Sequence, residues 1–141
     1  MFLGEFRHTL DEKSRVTLPA KYRARLAPGI VMTLGTRRFV MVFPIDEFRL
    51  LAERVSALPL VASEAAMLRR QLFGNAIDLE PDKQGRVVIP ESLRQYAVIN
   101  QDAIIVGVGT HIEIWSPEEW QREQDEISRA ALDNPWAKLG I

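Results

Sequence analysis

"DKQGRVVIPESLR", residues 82–94, repeats in outline "DEKSRVTLPAKYR", residues 11–23. Each stretch opens on an aspartate, sets an arginine four positions on, and runs through a short apolar segment to a proline. A second arginine follows four positions after that proline. Asp11/Asp82, Arg15/Arg86, Val16/Val87, Leu18/Ile89, Pro19/Pro90, Tyr22/Leu93 and Arg23/Arg94 all pair at one offset. Self-similarity of this kind marks a duplicated unit.

The repeat continues outward after a one-residue insertion. "MTLG" at 32–35 then pairs with "IIVG" at 104–107, "VMVF" at 40–43 with "IEIW" at 112–115, and Asp46-Glu47-Phe48 with Glu118-Glu119-Trp120. Each unit reads as a short strand (about Glu5–Leu10 and Ala76–Glu80), the Asp-x-x-x-Arg turn, and a second strand alternating in period two. A short helix follows, with Pro19 or Pro90 at its first position; Tyr22 and Leu26, or Leu93 and Ala97, form its buried face. A hairpin and a closing helix complete each unit, the hairpins being "IVMTLGTRRFVMVF" and "AIIVGVGTHIEIW". The apolar stripes of the closing helices are Phe48, Leu51, Ala52 and Val55, and Trp120, Ile127 and Ala131. Ser116-Pro117-Glu118-Glu119 carries the N-cap serine, first-turn proline and capping-box glutamate of a helix start. An extra helix is expected from Ser63 to Phe73, stopped by Gly74.

The expected organisation is a first unit over residues 1–58, a connecting helix over 59–74, a second unit over 75–135 and a tail over 136–141. The strand-rich part of each unit is too small to bury a core alone. Two together form a pseudo-dimer, so the duplication is first a folding device.

Composition narrows the class. The chain has 141 residues, is 47% hydrophobic and 26% charged, and lacks cysteine. That balance is globular, and it excludes disulfides, thiolate zinc sites and thiol catalysis. Glu5, Arg7 and His8 interrupt the N-terminus where a signal peptide needs an apolar core. No run approaches a spanning helix, so a soluble cytoplasmic protein is expected. The net charge of −1 conceals an asymmetry: residues 1–72 hold 12 Lys/Arg against 7 Asp/Glu, and residues 73–141 hold 6 against 12. Binding to nucleic acid would need a local basic face.

In the turn itself, Asp11 or Asp82 is placed to accept backbone N–H groups two or three residues on and to pair with Arg15 or Arg86. Gly85 stands where a positive φ is expected; Ser14 holds that place in the first unit, so that turn is expected to be strained or of another type. On the residues alone, two roles stay open for Arg15 and Arg86. They either tie down their own turns or project from a ribbon toward DNA, where arginine contacts guanine edges or phosphates. Lys13, Lys83 and Arg7 are the nearby basic candidates. Lys13 aligns with Gln84, Lys83 with Glu12, and Arg7 with Asp78, so the two units are not equivalent and the first is expected to bind more strongly. Arg23 and Arg94 read as packing or salt-bridge arginines, and Arg37 and Arg38 as solvated at a hairpin tip. "GVGT" at 107–110 reads as turn chemistry, not a dinucleotide fingerprint. His8 and His111 lack partners at metal-ligand spacing. No nucleophile has a recognisable base beside it, so no catalysis, cofactor or small-molecule substrate is expected.

With "MFLGEFRHTLDEKSRVTLPAKYR", "IDLEPDKQGRVVIPESLRQYA" and "EIWSPEEW" in place, the sequence resembles the MraZ family of bacterial transcriptional regulators, built of two AbrB/SpoVT-type units. Ser14 departs from that family's usual glycine. The resemblance implies an α+β fold, a swapped-hairpin β-barrel made by two pseudo-symmetric halves with flanking helices, and assembly of several chains into a ring. It also implies a nucleoid-associated repressor of its own division and cell-wall operon, bound to short direct repeats in promoter double-stranded DNA. The rival reading is an oligomeric protein-binding scaffold or antitoxin-like module, motivated by the acidic segment from Glu118 to Asp133.

Overall fold

The computed structural model describes residues 1–141. In the first half, β1 (Glu5–Thr9), β2 (Arg15–Thr17), α1 (Ala20–Leu26), β3 (Ile30–Leu34), β4 (Val40–Pro44) and α2 (Ile45–Ser56) follow one another. The second half repeats the series as β5 (Ile77–Leu79), β6 (Arg86–Val88), α4 (Glu91–Ala97), β7 (Asp102–Gly107), β8 (Ile112–Trp115) and α5 (Pro117–Ala131). Helix α3 (Ser63–Gly74) lies between the halves and α6 (Pro135–Lys138) ends the chain.

Local chemistry sets the element ends. Ser116 caps α5 by accepting the Glu119 N–H at 3.1 Å, with Pro117 in the first turn. Pro19 and Pro90 stand one position earlier than the sequence suggests. Each is the N-cap, with ψ of 138° and 148°, because the strand hydrogen bonds run on through Leu18 and Ile89 and hold the chain extended up to the proline. Gly74 does not stop α3 in a left-handed turn. It is the last helical residue, and Asn75 follows at φ −101°, donating its side-chain amide to the Gln71 carbonyl.

The fold is mixed α+β with antiparallel strands. Six strands form one sheet in the order β1-β7-β8-β4-β3-β5, and β2 pairs only with β6. The hairpins β3–β4 and β7–β8 meet through β4 and β8 at the centre of the sheet. Their outer partners are exchanged: β1 of the first half pairs with β7 of the second, and β5 of the second with β3 of the first. The six-stranded sheet is open, with β1 and β5 as its edges. Gly107 is glycine because the N-terminal segment crosses it; a Cβ there would meet the Phe2 and Leu3 backbone at 2.5 Å.

The core follows from this exchange. One cluster of 19 buried residues holds ten side chains from the first half, including Val16, Leu18, Tyr22 and Leu26, and nine from the second, including Val87, Ile89, Leu93 and Ala97. Each Val, Leu or Ile fully buried contributes roughly 1.5–3 kcal/mol, and neither half retains that burial without the other.

The two closing helices part company. Helix α2 packs under α3, with Phe48 and Phe73 edge to face at 6.1 Å and Val55 buried. Buried Thr33 on β3 donates its hydroxyl to the Leu72 carbonyl at 2.7 Å, fixing the end of α3. The apolar face of α5 is covered only near its start. Trp120 packs on the Phe39–Ile104–Val106–Trp115 cluster, whereas Ile127 is 49% exposed. Arg37 is not free at the hairpin tip as expected. It pairs with Glu123, at 3.2 Å, and with Glu126, because the β4–β8 pairing brings the first hairpin beside α5. Arg38 reaches the Tyr96 carbonyl at 3.4 Å. No helix is long and apolar enough to cross a membrane.

Candidate nucleic-acid interface

Both Asp-x-x-x-Arg turns close in the same way. The Asp11 carboxylate accepts the N–H of Lys13 and of Arg15, each at 2.9 Å, through Oδ1, and the Arg15 Nε–H at 2.7 Å through Oδ2. Asp82 repeats the set with Gln84 at 2.9 Å, the Arg86 N–H at 2.8 Å and the Arg86 Nε–H at 2.7 Å. The bonds reach residues two and four positions on, which leaves the intervening N–H of Ser14 or Gly85 for the aspartate's own carbonyl. Donation by the Arg15 and Arg86 backbones, then by their guanidinium groups, holds both carboxyls below the usual aspartate range.

Gly85 adopts φ +75° and Ser14 φ 58°. The first turn is therefore of the same type as the second, with a non-glycine residue in a left-handed conformation that costs roughly 1–2 kcal/mol.

Strands β2 and β6 join the turns into one ribbon. Val16 lies opposite Val87, Arg15 opposite Val88, and Thr17 opposite Arg86. Each turn is tied to the other half: Leu18 donates to the Gly85 carbonyl at 2.8 Å, and Ile89 to the Ser14 carbonyl at 3.0 Å. Alternation buries Val16 and Val87 and turns Arg15, Thr17, Arg86 and Val88 to the opposite face. Arg15 and Arg86 are diagonal neighbours across the ribbon, a relation that sets residues roughly 7–8 Å apart. Their terminal guanidinium nitrogens make no hydrogen bond within the chain, since only Nε is engaged. Anchored at Nε and open at the tips, each guanidinium keeps a fork of donors for an acceptor outside the molecule.

The remaining candidates fall around this ribbon unevenly. Lys13 and Lys83 lie in the turns with exposed side chains. Arg7 is not beside the first turn. On β1, it shares a shallow cleft with Thr17 and Arg23, toward the Arg86 end of the ribbon. Arg23 donates Nε–H to the Leu18 carbonyl at 3.1 Å and lies against Gly85; Arg94 makes the equivalent bond to Ile89 at 3.0 Å. Thr17 was not among the sequence candidates. The period-two alternation from Arg15 was the signal that places it on the arginine face. No three His, Asp or Glu side chains gather to hold a metal. His111 stacks on Phe43 at 4.4 Å, and burial lowers its pKa.

A family model described as "MraZ protein, putative antitoxin-like" matches residues 1–71 and again 72–139, one match over each copy of the repeat, with the boundary falling inside α3. The chain belongs to the MraZ family. Among curated MraZ relatives, one from Herpetosiphon aurantiacus is 48% identical over 93% of this chain and 92% of its own length. A relative from Roseiflexus castenholzii is 46% identical over 86% and 85% respectively. One from Clostridium tetani is 38% identical over the whole of both chains. All three are named "Transcriptional regulator MraZ". The MraZ match thus spans both turns and the ribbon that joins them.

Proposed function

We propose that this chain is a sequence-specific DNA-binding transcriptional regulator that presents Arg15 and Arg86 to double-stranded DNA on the β2–β6 ribbon. The observation that carries the reading is the paired guanidinium groups, each fixed at Nε by its turn aspartate and free at its terminal nitrogens. A two-stranded ribbon fits the major groove, where arginine addresses guanine O6 and N7; the same fork clamps a phosphate. Lys13, Lys83 and Arg7 supply flanking phosphate contacts. Asp11, Asp82 and Gly85 are turn builders that aim the arginines.

The exchange of β1 and β5 between halves supports reading the molecule as an AbrB/SpoVT-like swapped-hairpin barrel with the ribbon across one end. In this reading the protein represses its own division and cell-wall operon from the nucleoid. Several chains assembled in a ring bind direct repeats in the promoter, so weak single-chain contacts multiply through effective concentration. Such multiplication suits a chain of near-zero net charge. The acidic stretch from Glu118 to Asp133 offers less to a basic partner than its composition implies, because Glu119, Glu123 and Glu126 are engaged by Arg122 and Arg37.

The test is fluorescence anisotropy with DNA from immediately upstream of the gene and with a scrambled duplex, at several salt concentrations. Wild type, Arg15→Ala and Arg86→Ala are compared. The expected result is preference for the upstream DNA, weakened by either substitution. A slope of log K against log salt that falls by about 0.9 marks a lost phosphate contact, and lost discrimination at unchanged slope marks a base reader. Equal, weak binding of both duplexes by all three proteins would reject the reading in favour of a scaffold.

A further inference from the structure

We infer that Val88 is a specificity-determining residue: on the outward face of the β2–β6 ribbon it packs against the C5-methyl group of a thymine beside the guanine that Arg15 addresses. The inference rests on the DNA reading above and adds a base preference that neither arginine supplies.

Four side chains make that face. Arg15 stands opposite Val88, and Thr17 opposite Arg86. The duplication makes Arg15 and Arg86 equivalent, and it makes Thr17 and Val88 equivalent as well. Only the arginine pair is the same in both halves. The face therefore offers a guanidinium beside a hydroxyl at one end, and a guanidinium beside bare methyl groups at the other.

Val88 is 45% exposed, whereas Val87, its neighbour on the strand, is 2% exposed. Strand formation accounts for a β-branched residue at this position. It does not account for an apolar one, because Thr17 is β-branched and holds the same place in the first half. The core does not account for it either, since alternation turns Val88 away from Val16 and Val87.

The chemistry of the face selects what the valine meets. An exposed apolar group beside arginines offers nothing to a phosphate. It suits an apolar spot in a groove that is otherwise lined by donors and acceptors. The major groove has one such spot, the thymine C5-methyl, and apolar side chains distinguish thymine by touching it. That methyl projects from the base edge into the groove, where a side chain as short as valine can reach it.

Spacing fixes which base. Residues directly opposite in an antiparallel pair have Cβ atoms roughly 4.5–5.5 Å apart, and successive bases of one strand lie about 3.4 Å apart along the axis. Val88 accordingly meets a base pair about one or two steps from the one that Arg15 meets. Arg15 then addresses a base edge, guanine O6 and N7, in place of a phosphate.

Anisotropy with chemically altered upstream duplexes tests this on the full chain. Each thymine is replaced in turn by dU, which removes the methyl group and nothing else. Wild type is expected to bind one such duplex about fourfold more weakly, the effect of exposing one buried aliphatic carbon. Val88→Ser is expected to bind that duplex and the parent alike. Val88→Thr keeps one methyl group and is expected to keep the difference, at the same Tm as Val88→Ser, so a loss of fold cannot imitate the result. Thr17→Val is expected to leave the difference in place. A guanine analogue lacking N7, set about one or two base pairs from that thymine, is expected to weaken wild type and to leave Arg15→Ala unaffected. Indifference to every single dU, a loss that persists in Val88→Ser, or a sensitive thymine remote from the guanine that Arg15 needs would each overturn the inference and leave the DNA reading standing. Equal binding of upstream and scrambled duplexes by wild type would overturn both.

Discussion

Arg23 of the first half lies directly against Gly85 of the second, so that a Cβ on Gly85 would fall 2.5 Å from the Arg23 Nε. Two constraints therefore meet at residue 85, the left-handed backbone and the arginine beside it. At the equivalent place in the first turn, Ser14 meets the first constraint with a side chain present.

The two positions should respond oppositely to exchange. Gly85→Ser is expected to cost about 1–2 kcal/mol from the backbone alone, with an added cost for displacing Arg23. Ser14→Gly is expected to stabilise by up to about 1 kcal/mol. Urea unfolding of both variants at neutral pH measures this, and a neutral Gly85→Ser would show that the second turn tolerates a side chain as the first does.

Thr33→Val should loosen α3 selectively. The buried hydroxyl is the donor to the Leu72 carbonyl, and its loss leaves that carbonyl without a partner at about 1–2 kcal/mol. Hydrogen exchange is expected to speed up along α3 and not along α4. Uniform acceleration across the chain would mean that the bond supports the whole fold instead.

Acid should open the two ribbon turns. The Asp11 and Asp82 pKa values are lower in the folded protein than in the unfolded chain. Their contribution is complete above the unfolded aspartate value of about 3.9 and is lost as pH falls through the depressed folded values. A variant with both aspartates changed to asparagine is expected to have a lower Tm than wild type at pH 7, the gap narrowing below about pH 4. A gap independent of pH would reject the carboxylate account.

Glu113 works in the reverse direction. Burial raises its pKa, offset by the Trp115 indole N–H it accepts at 3.0 Å, and Glu123 adds to the rise. A raised folded pKa means stability held at low pH and lost as pH rises through that value. Glu113→Gln keeps an acceptor for Trp115 and removes the charge. It is expected to raise Tm at pH 7, by about 2–4 °C for each 1 kcal/mol gained, and to have little effect at pH 4. A lower Tm at pH 7 would mean that the ionised carboxylate is itself stabilising.

Sequence chemistry that acts over a few residues could be read directly. The Asp11–Arg15 and Asp82–Arg86 turns, the Ser116 cap and both hairpins depend on neighbours within a few positions. What escaped depended on which halves touch. Nothing local links Arg37 to Glu123 and Glu126, or places Arg7 near Thr17 and Arg23, because both follow from pairings between strands of different halves. The stripe Trp120, Ile127 and Ala131 was legible as a pattern, yet periodicity does not say whether a partner exists; only Trp120 found one within the chain. Leu18 and Ile89 explain the proline offset, since their ladder bonds to the opposite turn keep each proline extended.

The exchanged outer strands also constrain how the molecule is born. Strand β1 leaves the ribosome early, but its partner β7 lies about a hundred residues downstream, and the shared core needs both halves at once. A nascent chain halted before Asp102 thus holds an unpaired strand and half an apolar core, the state most open to misassociation. Synthesis must run nearly to the end before the native arrangement is reachable, so the late codons govern the fate of the early ones.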